Sequence, residues 1–278
     1  MLTTRATISD SYVHGQAHGR ALSELCRLRN ARVPWLVFVA AGLNAELSTT
    51  NKVGGIVLIG AAYSAASALN DRADVEADRL NGRTDRPLVS GELSDRDVRS
   101  VVVAASAGVV MSQLLLSQPS AFAVTALALA IGVGYSVEPF ALQRRGLVGL
   151  IALSWCYLGA PLLLALGAKG AGVSLAMGMV GAGVLAHKDF RDLNGDLHAA
   201  KRTLLVRRGA MLTTRIAVAV AMVGLVGLAA IHGASWWAVP GAFTLICLSA
   251  MAVAGHKANL WMMSRVALVA TAVLVAIQ

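Results

Sequence analysis

Apolar and polar positions fall along this chain in long blocks. Apolar runs cover roughly 33–50, 53–69, 99–117, 120–138, 147–167, 171–187, 211–231, 235–254 and 259–277, each close to the ~20 residues that carry a helix across a bilayer. The pattern predicts an all-α membrane protein, a bundle of nine transmembrane helices, read as one domain over residues 1–278 because no linker or low-complexity segment interrupts it. Residues 1–32 come first as a polar segment ending in Arg20, Arg27, Arg29 and Arg32. Within it, Ala21 to Arg29 reads either as a short amphipathic helix on the membrane surface or as a frayed tail. With no apolar run before residue 33, no cleavable leader is read and the first span does the targeting.

Charge orients the bundle. If the N-terminus is cytoplasmic, the segments 70–98, 139–146, 188–210 and 255–258 share its side and hold nearly every Lys and Arg, while only Lys52 and Lys169 fall in loops opposite. That places the C-terminus on the far side. Composition agrees with a membrane protein: 56% of residues are hydrophobic and 14% charged, and the mean hydropathy is +0.66. The net charge of +9 then reads as topology bias and phosphate affinity, not as a nucleic-acid surface. Three cysteines at unrelated spacings, Cys26, Cys156 and Cys247, suggest neither a disulfide framework nor a zinc site.

The acidic residues are gathered more sharply still. Of fifteen, eleven lie in two segments predicted on one side: Asp71, Asp74, Glu76, Asp78, Asp85, Glu92, Asp95 and Asp97, then Asp189, Asp192 and Asp196. On a continuing helix Asn70, Asp74 and Asp78 stack at i, i+4 and i+8, a row of oxygen ligands that repels itself unless a cation sits in it. Asp192 and Asp196 repeat the spacing, with Asp189 one turn earlier on nearly the same face. One such row is common on a solvated helix face, but two on the same side, each trailed by basic residues, are not. Facing one another, they would make a cage of hard oxygen donors suited to Mg²⁺. Arg83 and Arg86 beside the first row, and Lys188, Arg191, Lys201 and Arg202 around the second, supply what a diphosphate needs. A diphosphate held at a membrane boundary implies an organic part buried among the helices, hence an isoprenoid.

The order of these elements, Asn70-xxx-Asp74-xxx-Asp78, Arg86-Pro87-Leu88-Val89-Ser90-Gly91, Tyr135-Ser136-xx-Pro139, and Asp189-xx-Asp192-xxx-Asp196 with Lys201-Arg202-Thr203-Leu204, resembles the UbiA superfamily of intramembrane prenyltransferases over nearly the whole chain. The resemblance implies a central cavity, two Mg²⁺ ions and a prenyl diphosphate donor. Carried over by position, Asn70, Asp74 and Asp78 would hold one ion and Asp192 and Asp196 the other, with Asp71 behind them. Arg83, Arg86, Lys188 and Lys201 would contact the diphosphate, Asp189 would act as a metal-side ligand or a base, and Tyr135 would stand near the reacting carbon unless it is an interfacial tyrosine. Many relatives carry a lysine after the Tyr-Ser-xx-Pro element. Here Gln143 is followed by Arg144 and Arg145; either could replace that charge, with Arg144 taken as the diphosphate candidate, and the alternative is that both are positive-inside residues.

Other residues carry open readings. Pro87 and Gly91 break the helix after the first row, so Gly82 to Ser94 reads as a cytoplasmic-side cap. His187 reads as structural or, less often, catalytic. Trp155, Trp236, Trp237 and Trp261 would line a cation-stabilising cavity or sit as interface aromatics. The leading expectation is Mg²⁺-dependent prenyl transfer to an aromatic or quinone-precursor acceptor within membrane lipid. A terpene cyclase using the same metal residues is the alternative, a glycerol-phosphate or sugar-phosphate acceptor a third, and a non-catalytic transporter or metal-binding scaffold the reading from a different class.

Overall fold

A computed structural model describes residues 17–198 and 201–278, so residues 1–16 of the N-terminal segment lie outside the described residues. Helices follow one another with no strand among the described residues: α1 (17–26), α2 (Arg32–Asn44), α3 (Thr49–Leu80), α4 (Pro87–Ser90), α5 (Asp95–Leu115), α6 (Pro119–Ser136), α7 (Leu147–Ser154), α8 (Ala160–Leu166), α9 (Ala171–Leu185), α10 (Leu193–His198), α11 (Leu204–His232), α12 (Ala238–Ala254) and α13 (Ala258–Ala276).

Six stretches are long and apolar enough to cross a membrane: Thr49–Leu80, Asp95–Leu115, Pro119–Ser136, Leu147–Phe190, Leu204–His232 and Ala258–Ala276, while α2 and α12 are shorter apolar helices. Leu147–Phe190 doubles back on itself. It runs from α7 through a π-helical turn, Trp155–Gly159, into α8, breaks at the 3-10 turn Gly167–Gly170 and returns as α9 against α7 and the π turn. That stretch therefore takes two of the sequence's apolar runs. The protein is a multi-pass α-helical membrane bundle. Its outward faces carry exposed Val103, Leu114, Phe122, Leu175, Val226 and Val253, the surface that lipid covers.

In lipid, apolar side chains gain little by leaving one hydrocarbon environment for another, so helices associate where small residues let backbones approach. The α9–α11 seam follows this rule. A Cβ on Gly183 would stand 2.5 Å from the Ala217 carbonyl oxygen, and one on Gly224 would stand 2.6 Å from that of Ala176.

Helix length positions the polar machinery. Capped by Ser48, whose side chain accepts from Asn51 N, α3 continues without a break through the acidic row. Its 32 residues would span about 48 Å at ~1.5 Å per residue, against a hydrocarbon core of ~30 Å, so the last turns run past the apolar zone. Past its end, Pro87 opens α4 and Gly91, at φ 80°, closes it. Residues 82–94 thus form a turn built around the one-turn α4.

Of the two readings of the N-terminal segment, the structure has the helix: Ala21 and Leu25 of α1 are buried with Ala68, Leu93 and Val98, so one face of α1 packs on α3 and α5. A difference concerns α11, which contains a non-helical Gly209 at φ 73°. The predicted run 211–231 lies wholly beyond that break, and the basic residues Arg207 and Arg208 lie in the separate turn before it.

Candidate active site

The first row stands on α3 as the spacing predicts, and it is held there by its neighbours. Asn70 Nδ2 donates to Asp74 Oδ2 at 3.1 Å, while Asn70 Oδ1 accepts from Ser136 Oγ at the end of α6, also at 3.1 Å. The self-repulsion expected of the row is relieved by cations reaching in from elsewhere. Lys201 Nζ lies 2.7 Å from Asp74 Oδ1, Arg86 Nε lies 3.7 Å from Asp78 Oδ2, and Arg27 pairs with the buried Asp71.

The second row is built differently. The sequence places it on a continuing helix, but α9 stops at Leu185, and Asp189 sits on a 3-10 turn, Lys188–Phe190. Asp192 precedes the six-residue α10, and its carbonyl accepts from Asp196 N at 3.0 Å, which preserves the one-turn spacing of those two acids. Asn81, just past α3, docks this segment onto the first row: its Nδ2 donates to Asp192 O at 3.3 Å and its Oδ1 accepts from Gly195 N at 2.7 Å. Gly195 is what admits that contact, since a Cβ there would stand 2.2 Å from Asn81 Nδ2 and 2.6 Å from Ala77 O.

The two rows share one cavity of about 1060 Å³. Asn70, Asp74, Asp78, Asp189, Asp192 and Asp196 line it, together with Arg83, Arg86, Lys188, Lys201 and Tyr135. Lys201 joins the rows directly, standing 2.7 Å from Asp74 and 3.6 Å from Asp196. From the turn before α4, Arg83 reaches Asp192 at 3.4 Å. Lys188 Nζ is 2.6 Å from Asp189 Oδ1 and 6.0 Å from the centre of the Tyr135 ring. Burial pushes the Asp196 carboxyl up to about 6 against the opposing pull of Lys201.

Arg144 is placed apart from the other candidates. It lies outside the cavity and half exposed, paired with Glu138 at 2.8 Å, while Arg145 donates to the Phe140 and Pro139 carbonyls. Local pairing in the loop after α6 uses both guanidinium groups, and Gln143 is the residue of that loop that lines the cavity. The tryptophans also separate. Trp261 lines the cavity, Trp155 is buried and donates to Ser174 Oγ at 2.9 Å, Trp237 is buried, and Trp236 is exposed. His187 is buried in a stack of rings and does not line the cavity.

The carboxylates of the two rows do not by themselves converge on one point. Among the described residues no three His, Cys, Asp or Glu side chains converge closely enough to hold a metal ion by themselves, because protein cations stand between the rows. The donor set still fits Mg²⁺, which takes one or two carboxylates, keeps waters and completes its shell with substrate phosphate oxygens. Asp74 Oδ1 supports this: it is buried and, despite the nearby ammonium, accepts no properly directed hydrogen bond.

Several cavity residues lie outside the predicted set. Arg27, just past the end of α1 at φ 49°, reaches Asp71 from the segment read as a surface helix or a frayed tail. Trp35, Arg29, Arg32 and Arg265 also line the cavity. Their sequence signal was charge or aromaticity alone, and only packing brings α1, α2 and α13 to the acidic rows.

Comparison with known proteins bears on the whole chain. The fold matches a solved digeranylgeranylglyceryl phosphate synthase at TM-score 0.70 and 15% identity, over 94% of this chain and 99% of that one. It matches the apo structure of a UbiA homologue from Aeropyrum pernix K1 at 0.70 and 20%, over 90% and 98%. A UbiA homologue from Archaeoglobus fulgidus, bound to GPP and Mg²⁺, matches at 0.69 and 16%, over 92% and 99%. At these identities the likeness is one of fold. No curated protein sequence matches the chain. Residues 33–277, however, match the UbiA prenyltransferase family, and with the two acidic rows meeting in one cavity of a matching fold, the chain belongs to that family.

Proposed function

We propose that the protein is an Mg²⁺-dependent prenyltransferase that takes the prenyl group from an isoprenyl diphosphate, passes it to an aromatic or quinone-precursor acceptor and releases diphosphate. The observation that carries this is the meeting of two carboxylate rows and their basic neighbours in one cavity at the polar end of an apolar bundle. The Archaeoglobus fulgidus homologues, solved with GPP and with DMAPP together with Mg²⁺, support the donor class.

In this reading Asn70, Asp74 and Asp78 hold one ion and Asp192 and Asp196 a second. Bound Mg²⁺ supplies charge neutralisation that makes diphosphate a better leaving group. Arg83, Arg86, Lys188 and Lys201 give up their present carboxylate partners in part and bind the non-bridging oxygens. Asp189 turns its free carboxylate oxygen to a ligand or proton, and Tyr135, next to Lys188, faces the allylic carbon. The surrounding helices exclude water from the developing cation. Arg29, Arg32 and Arg265 line the same cavity and have no carboxylate partner among the described residues, which suits an acceptor with an acidic group. The chain crosses the bilayer nine times as one domain, with the N-terminus, the cap over 82–94 and the cavity mouth cytoplasmic and the C-terminus opposite.

The purified protein, incubated with Mg²⁺ and geranyl, farnesyl or geranylgeranyl diphosphate, should leave the donor intact until an aromatic acid or phenol is added. Product and diphosphate should then appear in equal amounts. A cyclic hydrocarbon formed without acceptor would overturn transfer in favour of cyclisation.

A further inference from the structure

Lys188 and Asp189 stand on a turn of only three residues, Lys188–Phe190, closed on its far side by Asp192 N donating to Asp189 O at 3.1 Å but entered through long bonds. His187 N reaches Val184 O, and Phe190 N reaches His187 O, each at 3.4 Å, near the long limit of a useful hydrogen bond. The entry to the turn is therefore where contacts from outside it bear most on the direction of its two charged side chains.

That support comes from the last hairpin of the chain. His187 and Phe190, the residues on either side of Lys188-Asp189, stack on each other with ring centres 5.3 Å apart and planes at 15°. His256, from the loop between α12 and α13, stacks on both, at 5.6 Å and 20° from His187 and at 4.5 Å and 21° from Phe190. Gly255, at φ 79°, makes the turn that carries His256 there. On the other side of His256 lies Trp261, with ring centres 6.2 Å apart, and Trp261 Nε1 donates at 3.1 Å to Val184 O, the carbonyl at the end of α9. One loop thus clamps both shoulders of the Lys188-Asp189 pair and the helix end that leads into it.

We propose that His256 is a positioning residue for the diphosphate site, acting through ring stacking on His187 and Phe190 to aim Lys188 and Asp189 into the cavity. The inference rests on the reading of those two residues as part of that site. Stacked rings of limited freedom fix direction as well as proximity, and side chains that orient ligating groups change affinity by about 10–100-fold when removed.

The test measures binding of inorganic diphosphate with Mg²⁺ to the full chain in detergent. His256→Leu, which keeps volume but loses the stack, should weaken Kd about tenfold, as a positioning group does, while His256→Phe, which keeps the stack, should stay within about twofold of wild type. In a Lys188→Met, Asp189→Asn background, itself weakened, His256→Leu should cost nothing further, since coupled residues are non-additive. Should His256→Leu fail to fold, His256→Gln carries the same comparison. Wild-type Kd in His256→Leu, a His256→Phe chain as weak as His256→Leu, or additive losses in the combined variant would each overturn the proposal. Unchanged Kd in the Lys188→Met, Asp189→Asn chain would instead overturn the site reading beneath it.

Discussion

The two acidic rows hold the same kind of residue at the same spacing and are supported in opposite ways. The first is part of α3, a 32-residue helix whose own backbone fixes Asn70, Asp74 and Asp78 on one face. The second is assembled from a 3-10 turn, a loop residue and the six-residue α10, too short to be stable alone, and it takes its position from Asn81, Lys201 and the rings around His187. The difference teaches that ligand spacing and ligand support are separate properties: a one-turn interval says where carboxylates fall, not what holds them there.

The largest effect should strike both rows equally, because the chemistry needs both. Asp74→Ala and Asp192→Ala should each lower Mg²⁺-dependent turnover about a hundredfold or more, the scale on which groups that stabilise developing charge act. A loss confined to one of them, in a diphosphate-release assay, would mean that the rows do not act together.

Gly195→Ala should separate the rows by their support. The added methyl meets Asn81 and the Ala77 carbonyl, so thermal denaturation should show a loss of about 2 kcal/mol, as overpacking at a contact with no room to yield does. An unchanged melting curve for Gly195→Ala would show that the segment is not docked through Asn81.

Much of this was legible in the chain. Apolar runs gave the helical bundle, and continuous helical spacing gave the first row because nothing breaks α3 between Thr49 and Leu80. The second row was legible as spacing but not as support, because no local pattern announces that α9 ends at Leu185 or that Asn81 bridges to Gly195. Arg27 was hidden for a similar reason: a basic residue before the first span reads as topology bias, and only the packing of α1 on α3 and α5 brings it to Asp71. Arg144 shows the converse, since its charge meets Glu138 within its own loop, a local pairing that the motif order does not announce.

A smaller effect should appear with pH, and on the second row. Burial raises the Asp196 carboxyl to about 6, and only the ionised form binds a cation well, so Mg²⁺ affinity should be full above that value and fall as pH drops through it. With about nine in ten Asp196 groups protonated at a pH one unit below that midpoint, affinity should be about tenfold lower than near neutrality. Titration calorimetry would show the step, and Asp196→Asn should remove it; a flat profile in the wild type would deny Asp196 a ligand role. The smallest effect belongs to Arg144→Ala, expected within about 0.5 kcal/mol of wild type in stability, as for other surface changes, with turnover unchanged. A clear loss of turnover would return Arg144 to the site.

The central claim is that the two rows form one diphosphate site and not two neighbouring cation sites. Its most direct test is the gain in diphosphate affinity that Mg²⁺ confers, measured by calorimetry in wild type, Asp74→Ala, Asp192→Ala and the double variant. A single site predicts that either substitution abolishes the gain and that the double variant loses no more than each alone. Two independent sites would leave about half of the gain in each single variant and remove the rest only in the double, a result that contradicts the account.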